Sequence, residues 1–221
     1  MRSDADITVL FDLDGVLIDS RLAVTACIKH ALRIQGLPER APESLERFIG
    51  PPLAAGFAEL TGQPQSSHTV LACLANYRER YSEVSLLQTT VVPGIPEALL
   101  TLSEDHTLAV ATSKPLAFAE PLLQSLALRD RFALIAGPEL DAHQEDKSTT
   151  IRTALATLGV TSAVMVGDRS FDILGAHACA IPAVGVTWGI GSRQELAGAG
   201  ADTIIDSPSE LTRAVDHLMR R

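Results

Sequence analysis

With 221 residues, 46% of them hydrophobic, and a net charge of −9, the chain suits one domain or a domain with a modest insertion and is too apolar for intrinsic disorder. The acids are spread along the chain, which excludes a basic footprint for a nucleic acid polymer and a polybasic patch for a membrane. No apolar run approaches the roughly 20 residues of a membrane-spanning helix. The polar start, Met1 to Asp6, leads straight into a strand and does not read as a signal peptide. Cys27, Cys73 and Cys179 lie far apart. They form no metal-ligand pair and suit reduced thiols in a cytoplasm.

In chain order, the first predicted strand is the apolar run Ile7–Phe11. From about Asp19 to Leu87 there is no good strand. A helix with apolar positions Leu22, Ala26, Ile28 and Leu32 opens this interval, and further helices are predicted at Glu43–Ile49, Leu53–Leu60 and His68–Tyr81. Gly36, Pro38, Pro42, Gly50–Pro51–Pro52 and Gly62–Gln63–Pro64 punctuate them. The chain returns at Val91–Pro93–Gly94. Strands then follow at Leu108–Ala111, Phe132–Ala136, Ala163–Val166 and Ala183–Val186, with a weaker one at Thr203–Ile205. Helices alternate with them at Glu97–Leu102, Phe118–Leu126, Thr149–Leu158, Ile173–Cys179 and Leu211–Met219. Pro115 suits a helix start, and Pro121 should either kink that helix or mark its true beginning.

The strand runs are continuous rather than alternating, as in strands buried on both faces. Strand–helix alternation predicts an α/β fold with a parallel sheet covered on both sides. The reading is a core of residues 1–18 and 88–221 with an all-helical insertion, residues 19–87.

The chemistry gathers at strand ends. In "FDLDGVLIDS" an apolar strand ends in Asp12 and Asp14, with Gly15 to turn the chain. Residues two apart on an extended strand point to the same side, and open α/β sheets build their sites at the C-terminal ends of central strands. "VMVGDRSFDI" repeats the design with Asp168 and Asp172. Four acids converging on one crevice need a cation, and a hard ion with oxygen ligands, Mg²⁺, is the natural one. Asp172 also reads as a helix N-cap or first-turn acid. Thr112 and Ser113 in "VATSKP" offer a hydroxyl and backbone N–H groups at a strand–helix junction, fit either for a phosphate or for a simple cap. Lys147, just before a helix, could reach the crevice. It is the only cation expected inside the acidic cluster.

Taken together, "FDLDGVLID", Thr112 or Ser113 in "VATSKP", Lys147 and "GDRSFD" resemble the four ordered motifs of the haloacid dehalogenase superfamily. The match spans nearly the whole chain. The helical interval resembles that superfamily's C1-type cap. "IGPPL", "VVPGIPE", "MVGDRSFDILGA" and "GIGSRQELAGAGAD" look most like its phosphoglycolate phosphatase-like and 5′-nucleotidase-like members.

The resemblance implies a Rossmann-like three-layer core with an inserted cap, and hydrolysis of small phosphate monoesters. It makes Asp12 the nucleophile and Asp14 the general acid and base. Mg²⁺ would be held by Asp12, the carbonyl of Asp14, and Asp168, with Asp172 orienting the ion's waters. Thr112, Ser113 and Lys147 would hold phosphoryl oxygens. It also implies a cytoplasmic enzyme, monomer or homodimer, whose partner is a small phosphorylated metabolite. Asp19 is read as a hinge or cap-contact residue, Arg169 as a rim salt bridge, Trp188 as packing, and Gly50–Pro51–Pro52 as the cap loop facing the crevice. The six histidines form no HxH or HxxxH pair, which excludes a zinc site of that kind. Val16 stands where many such phosphatases have threonine, as in the β-phosphoglucomutase-like branch, so a sugar-phosphate mutase is an alternative. A non-catalytic phospho-ligand binding protein is another, against which the intact Asp12, Asp14, Lys147 and Asp168 argue.

Overall fold

A computed structural model describes residues 7–140 and 146–219. The polar approach to the first strand, residues 1–6, lies outside the described residues. Contacts divide the chain into two compact units, Met1–Asp19 with Val91–Arg221, and Ser20–Thr90.

The first unit is an α/β sandwich. Its strands are β1 (Thr8–Phe11), β4 (Thr107–Ala111), β5 (Leu134–Ala136), β6 (Ala163–Gly167), β7 (Ala183–Val186) and β8 (Thr203–Ile205). All pair in parallel in the order β5-β4-β1-β6-β7-β8. The six strand runs predicted from the sequence are these six strands, because each is apolar enough to be covered on both faces. Side chains alternate between the faces. Leu10, Ala109, Ala111, Met165 and Ala183 pack with Ile151 and Ala154 of α7 (Lys147–Leu158) and with Ile173 and Ala176 of α8 (Ser170–Ala178). Small alanines on that face let the helices come close. Val9, Phe11, Val110 and Val166, also wholly buried, point to the other face. The helices packed together there are α5 (Ile95–Asp105) and α10 (Leu211–Met219).

The connecting helix α6 (Leu116–Ser125) begins directly after Pro115 and carries Pro121 inside it. Pro115 is therefore the helix start. Pro121 is exposed and is absorbed within the helix rather than beginning it.

The second unit is all helical: α1 (Arg21–Ile34), α2 (Pro42–Leu45), α3 (Leu53–Thr61) and α4 (His68–Gln88). Helix α4 runs one residue beyond the predicted end of the insertion. α1 packs along α4 and α3 against its side. The ring of Tyr77 stacks on Tyr81 at 5.4 Å and meets Phe57 edge-on at 6.2 Å. Two short strands, β2 (Ile18–Asp19) and β3 (Thr90–Val91), pair as a ribbon where the chain leaves for this unit and returns. They were not legible in the sequence, being only two residues each. Among the described residues no helix is long and apolar enough to cross a membrane.

Leu10 lies on β1 inside the sheet and is fully buried in this apolar cluster. Leu10→Ala should lower unfolding stability by about 2–5 kcal/mol, measured by chemical denaturation.

Candidate active site

The ladder of β1 extends by one bond beyond Phe11, with the Asp12 N–H donating to Val166 O at 2.9 Å. The extended run expected through Asp14 does not form. The chain turns at once: Gly15 takes φ +85°, its N–H donates to Ile18 O at 2.8 Å, and the Leu17 N–H donates to Leu13 O at 3.0 Å. Asp12 and Asp14 consequently reach different cations. Lys147 Nζ donates to Asp12 Oδ1 at 2.5 Å. Lys114 Nζ donates to Asp14 Oδ1 at 2.8 Å, with both side chains under a tenth exposed. This corrects the expectation that Lys147 is the only cation of the cluster.

At the end of the adjacent strand β6, Asp168 is completely buried. Its Oδ2 accepts the Ile190 N–H at 2.6 Å, while its Oδ1 has no hydrogen-bond partner among the described residues. Asp172 stands in the first turn of α8 as its third residue rather than as the N-cap. Its Oδ2 accepts the Arg169 N–H at 3.1 Å, and its Oδ1 lies 2.9 Å from Lys147 Nζ. Carboxylate oxygens of Asp12, Asp168 and Asp172 all lie within 4.8 Å of one another. Lys147, the first residue of α7, reaches them because α8 carries Gly175 where the helices cross. A Cβ there would lie 2.9 Å from Lys147 Cβ.

Thr112 continues β4 and is buried. Its N–H donates to Ala136 O at 2.9 Å, and its hydroxyl accepts the Lys114 N–H at 3.0 Å. Ser113 is partly exposed in the same turn. Arg169 pairs with Glu195 at 3.1 Å. The Trp188 indole N–H donates to Val16 O at 3.1 Å, a bond that its reading as a packing residue did not include. Sequence reading missed Lys114, Glu195 and the Ile190 N–H. A signal existed for Glu195, because Ser192 three residues before it is a helix-start pattern. It opens α9 (Arg193–Gly198), where Ser192 accepts the Glu195 N–H.

Burial dominates the electrostatics. Desolvation, with Asp172 and Asp14 nearby, pushes Asp12 up to about 7 despite Lys147. Burial, with Asp172 and Asp12, pushes Asp168 up to about 8 against the Ile190 N–H and Arg169. Four acids (Asp12, Asp14, Asp168, Asp172) face two lysines (Lys114, Lys147), a formal excess of two negative charges among the described residues. A divalent cation would balance that excess. The donors are all oxygen, and one of them, Asp168 Oδ1, is buried without a partner. Such a set fits a hard ion of the Mg²⁺ type.

Gly→Ala inside a helix ordinarily stabilises by about 1 kcal/mol. At Gly175 the sign should invert, because the methyl group meets Lys147. Gly175→Ala is expected to lower the thermal midpoint and to reduce divalent-ion binding, read by calorimetric melting and ion titration.

The chain matches the family of haloacid dehalogenase-like hydrolases over residues 9–186. It is 39% identical over 191 residues to a 5′-nucleotidase of Pseudomonas aeruginosa, spanning 85% of this chain and 86% of that protein. It is 34% identical over 217 residues to the probable phosphatase IndB of Dickeya dadantii, spanning 96% and 94%. Among solved structures, a predicted phosphatase from Clostridium acetobutylicum superposes with a TM-score of 0.91 at 35% identity, covering 96% of this chain and 99% of that one. With its parallel sheet and acidic strand ends, the chain belongs to the haloacid dehalogenase-like hydrolases and is an enzyme of their phosphatase group.

Proposed function

We propose that the protein is a Mg²⁺-dependent phosphatase that hydrolyses small phosphate monoesters through an aspartyl-phosphate on Asp12. The observation that carries this reading is the buried meeting of Asp12, Asp168 and Asp172 around Lys147, with one Asp168 oxygen left unpartnered. Asp12 and Asp168, with the carbonyl of Asp14, would hold the ion. The bound ion supplies positive charge that offsets the dianionic phosphate, so that an anion can attack it.

In the first step a carboxylate oxygen of Asp12 bonds to phosphorus as the ester oxygen leaves, taking a proton from Asp14. In the second, Asp14 takes a proton from water, whose oxygen displaces the Asp12 carboxylate and releases phosphate. Thr112, the backbone of Ser113, and Lys147 hold phosphoryl oxygens. Asp172 keeps Lys147 in place. The helical unit is read as the substrate-selecting cap domain. The similarity to a 5′-nucleotidase supports a nucleoside 5′-monophosphate as substrate, with phosphoglycolate-like acids as the other class. The three cysteines are unpaired, which supports a reducing cytoplasm. The mutase alternative rested on Val16, and that side chain is wholly buried; nothing in the site favours a mutase over a phosphatase.

Phosphate release from a panel of monoesters tests the reading. Activity should vanish in EDTA and return with Mg²⁺, and zinc should substitute poorly in an all-oxygen site. Full activity in chelator would mean that the acidic cluster holds no essential ion.

The two aspartates should separate by burst kinetics. Asp12→Asn should form no phosphoenzyme. Asp14→Asn keeps an oxygen that can accept from Lys114 and loses only proton transfer, worth typically about 10²–10⁴-fold. Its first step should therefore be slowed less for an aryl ester, whose phenolate leaves unaided, than for an alkyl ester, and phosphoenzyme should accumulate from the aryl ester. A burst from Asp12→Asn, or equal slowing for both esters, contradicts the assigned roles.

A further inference from the structure

The β7–α9 connection supplies no group to the steps above, yet it closes around Asp168, one of the two carboxylates read as ion ligands. Asp168 is fully buried. Ile190 gives its N–H to Oδ2 at 2.6 Å, while Oδ1 has no partner among the described residues. The glycines on either side of Ile190 let this loop approach. A Cβ on Gly189 would lie 2.5 Å from Asp168 Cγ, and one on Gly191 would lie 3.1 Å from the Asp168 carbonyl carbon. A backbone donor thus occupies one carboxylate oxygen and leaves the other for a cation.

The same segment is tied down by a single atom. Glu195 Oε1 accepts the Ser170 N–H at 2.9 Å, the Ser170 hydroxyl at 2.9 Å and Arg169 Nε at 3.1 Å. Those donors are the two residues that follow Asp168. Glu195 itself stands in the first turn of α9, its N–H held by Ser192 Oγ at 3.1 Å. The first turn of α9 is therefore bolted to the first turn of α8 through one carboxylate. The strand end carrying Asp168 is fixed on one side by the Ile190 N–H and on the other by Glu195.

We propose that Glu195 is a positioning residue for the ion site, and that through Arg169 and Ser170 it holds Asp168 so that only Oδ1 faces the ion. This rests on the reading of Asp168 as an ion ligand. Partners that orient a ligand typically change metal affinity by about 10–100-fold when lost. Glu195 could also act merely as a negative charge near the site, and two variants separate the cases. Glu195→Asp keeps the charge and loses a methylene of reach. Glu195→Gln keeps the reach and an accepting oxygen and loses the charge.

The experiment is calorimetric titration of the full-length protein with MgCl₂ in the absence of substrate, with folding checked by circular dichroism. Wild type should bind one ion, and Asp168→Asn should not. If wild type binds none, or Asp168→Asn binds as wild type does, the ion-site reading fails and the proposal falls with it. Given that site, Glu195→Asp should bind at least about tenfold more weakly, and Glu195→Gln should stay within about threefold of wild type, close to the loss of one modest hydrogen bond. Wild-type affinity in Glu195→Asp overturns the proposal. So does a Glu195→Gln loss equal to that of Glu195→Asp, since charge rather than reach would then be the cause. If Glu195→Asp does not fold, Ser170→Ala decides by the same titration. It removes one of the three bonds, so affinity should fall by about twofold to tenfold, and an unchanged value overturns the proposal.

Discussion

The ammonium of Lys147 sits between two buried carboxylates, Asp12 at 2.5 Å and Asp172 at 2.9 Å, and the site is built around that one charge. Burial alone would drive a proton off the lysine, but Asp12 and Asp172 outweigh it and hold the amine well above its ordinary range. The two carboxylates favour the charged form for that reason. Removing either partner from such a buried group typically costs about 3–5 kcal/mol, because the remaining charge is left uncompensated. The demand propagates outward. Lys147 must begin its helix at the site, α8 must carry Gly175 opposite it, and Asp172 must occupy the first turn of α8, where it also takes the Arg169 N–H.

The sheet brings these pieces to one level. Phe11 lies opposite Val110 on β4 and Val166 on β6. One or two residues further along three adjacent strands stand Asp12, Thr112 and Asp168. Parallel strands end side by side, and the order β5-β4-β1-β6-β7-β8 reverses direction next to β1. Side chains at such a switch point need no covering crossover above them, which is where open α/β sheets leave room for ligands. The apolar strands therefore decide where the polar residues converge, without contributing any chemistry.

Much of this was legible in the sequence. The six core strands were readable because burial on both faces demands uninterrupted apolar runs, and the acids after Phe11 and Gly167 break those runs sharply. Asp168 and Asp172 could be paired with Asp12 on the strength of the repeated pattern. Lys147 was legible mainly through family resemblance, since a lysine before a helix looks like any solvated charge. Lys114 escaped notice although it lies two residues after Thr112. Its four-carbon arm crosses from one strand end to Asp14 on another, and sequence spacing holds no record of such a reach. The turn after Asp12 was hidden for a related reason: Gly15 announces a bend, but the pairing that follows spans only two residues.

The separate lysines also give two aspartates one residue apart unlike surroundings, as the proposed division of labour between them requires. On a continuing strand Asp12 and Asp14 would point the same way and compete for one counter-ion. The turn at Gly15 breaks that symmetry. Asp12 is drawn under Lys147 toward Asp168 and Asp172, where burial and like charges make its anion dependent on a cation. Asp14 is drawn toward Lys114 at the end of β4, against the turn that bears Thr112. A nucleophile needs an ionised, held oxygen, and a proton carrier needs a carboxyl able to exchange its hydrogen. Giving each aspartate its own ammonium lets one be fixed without fixing the other.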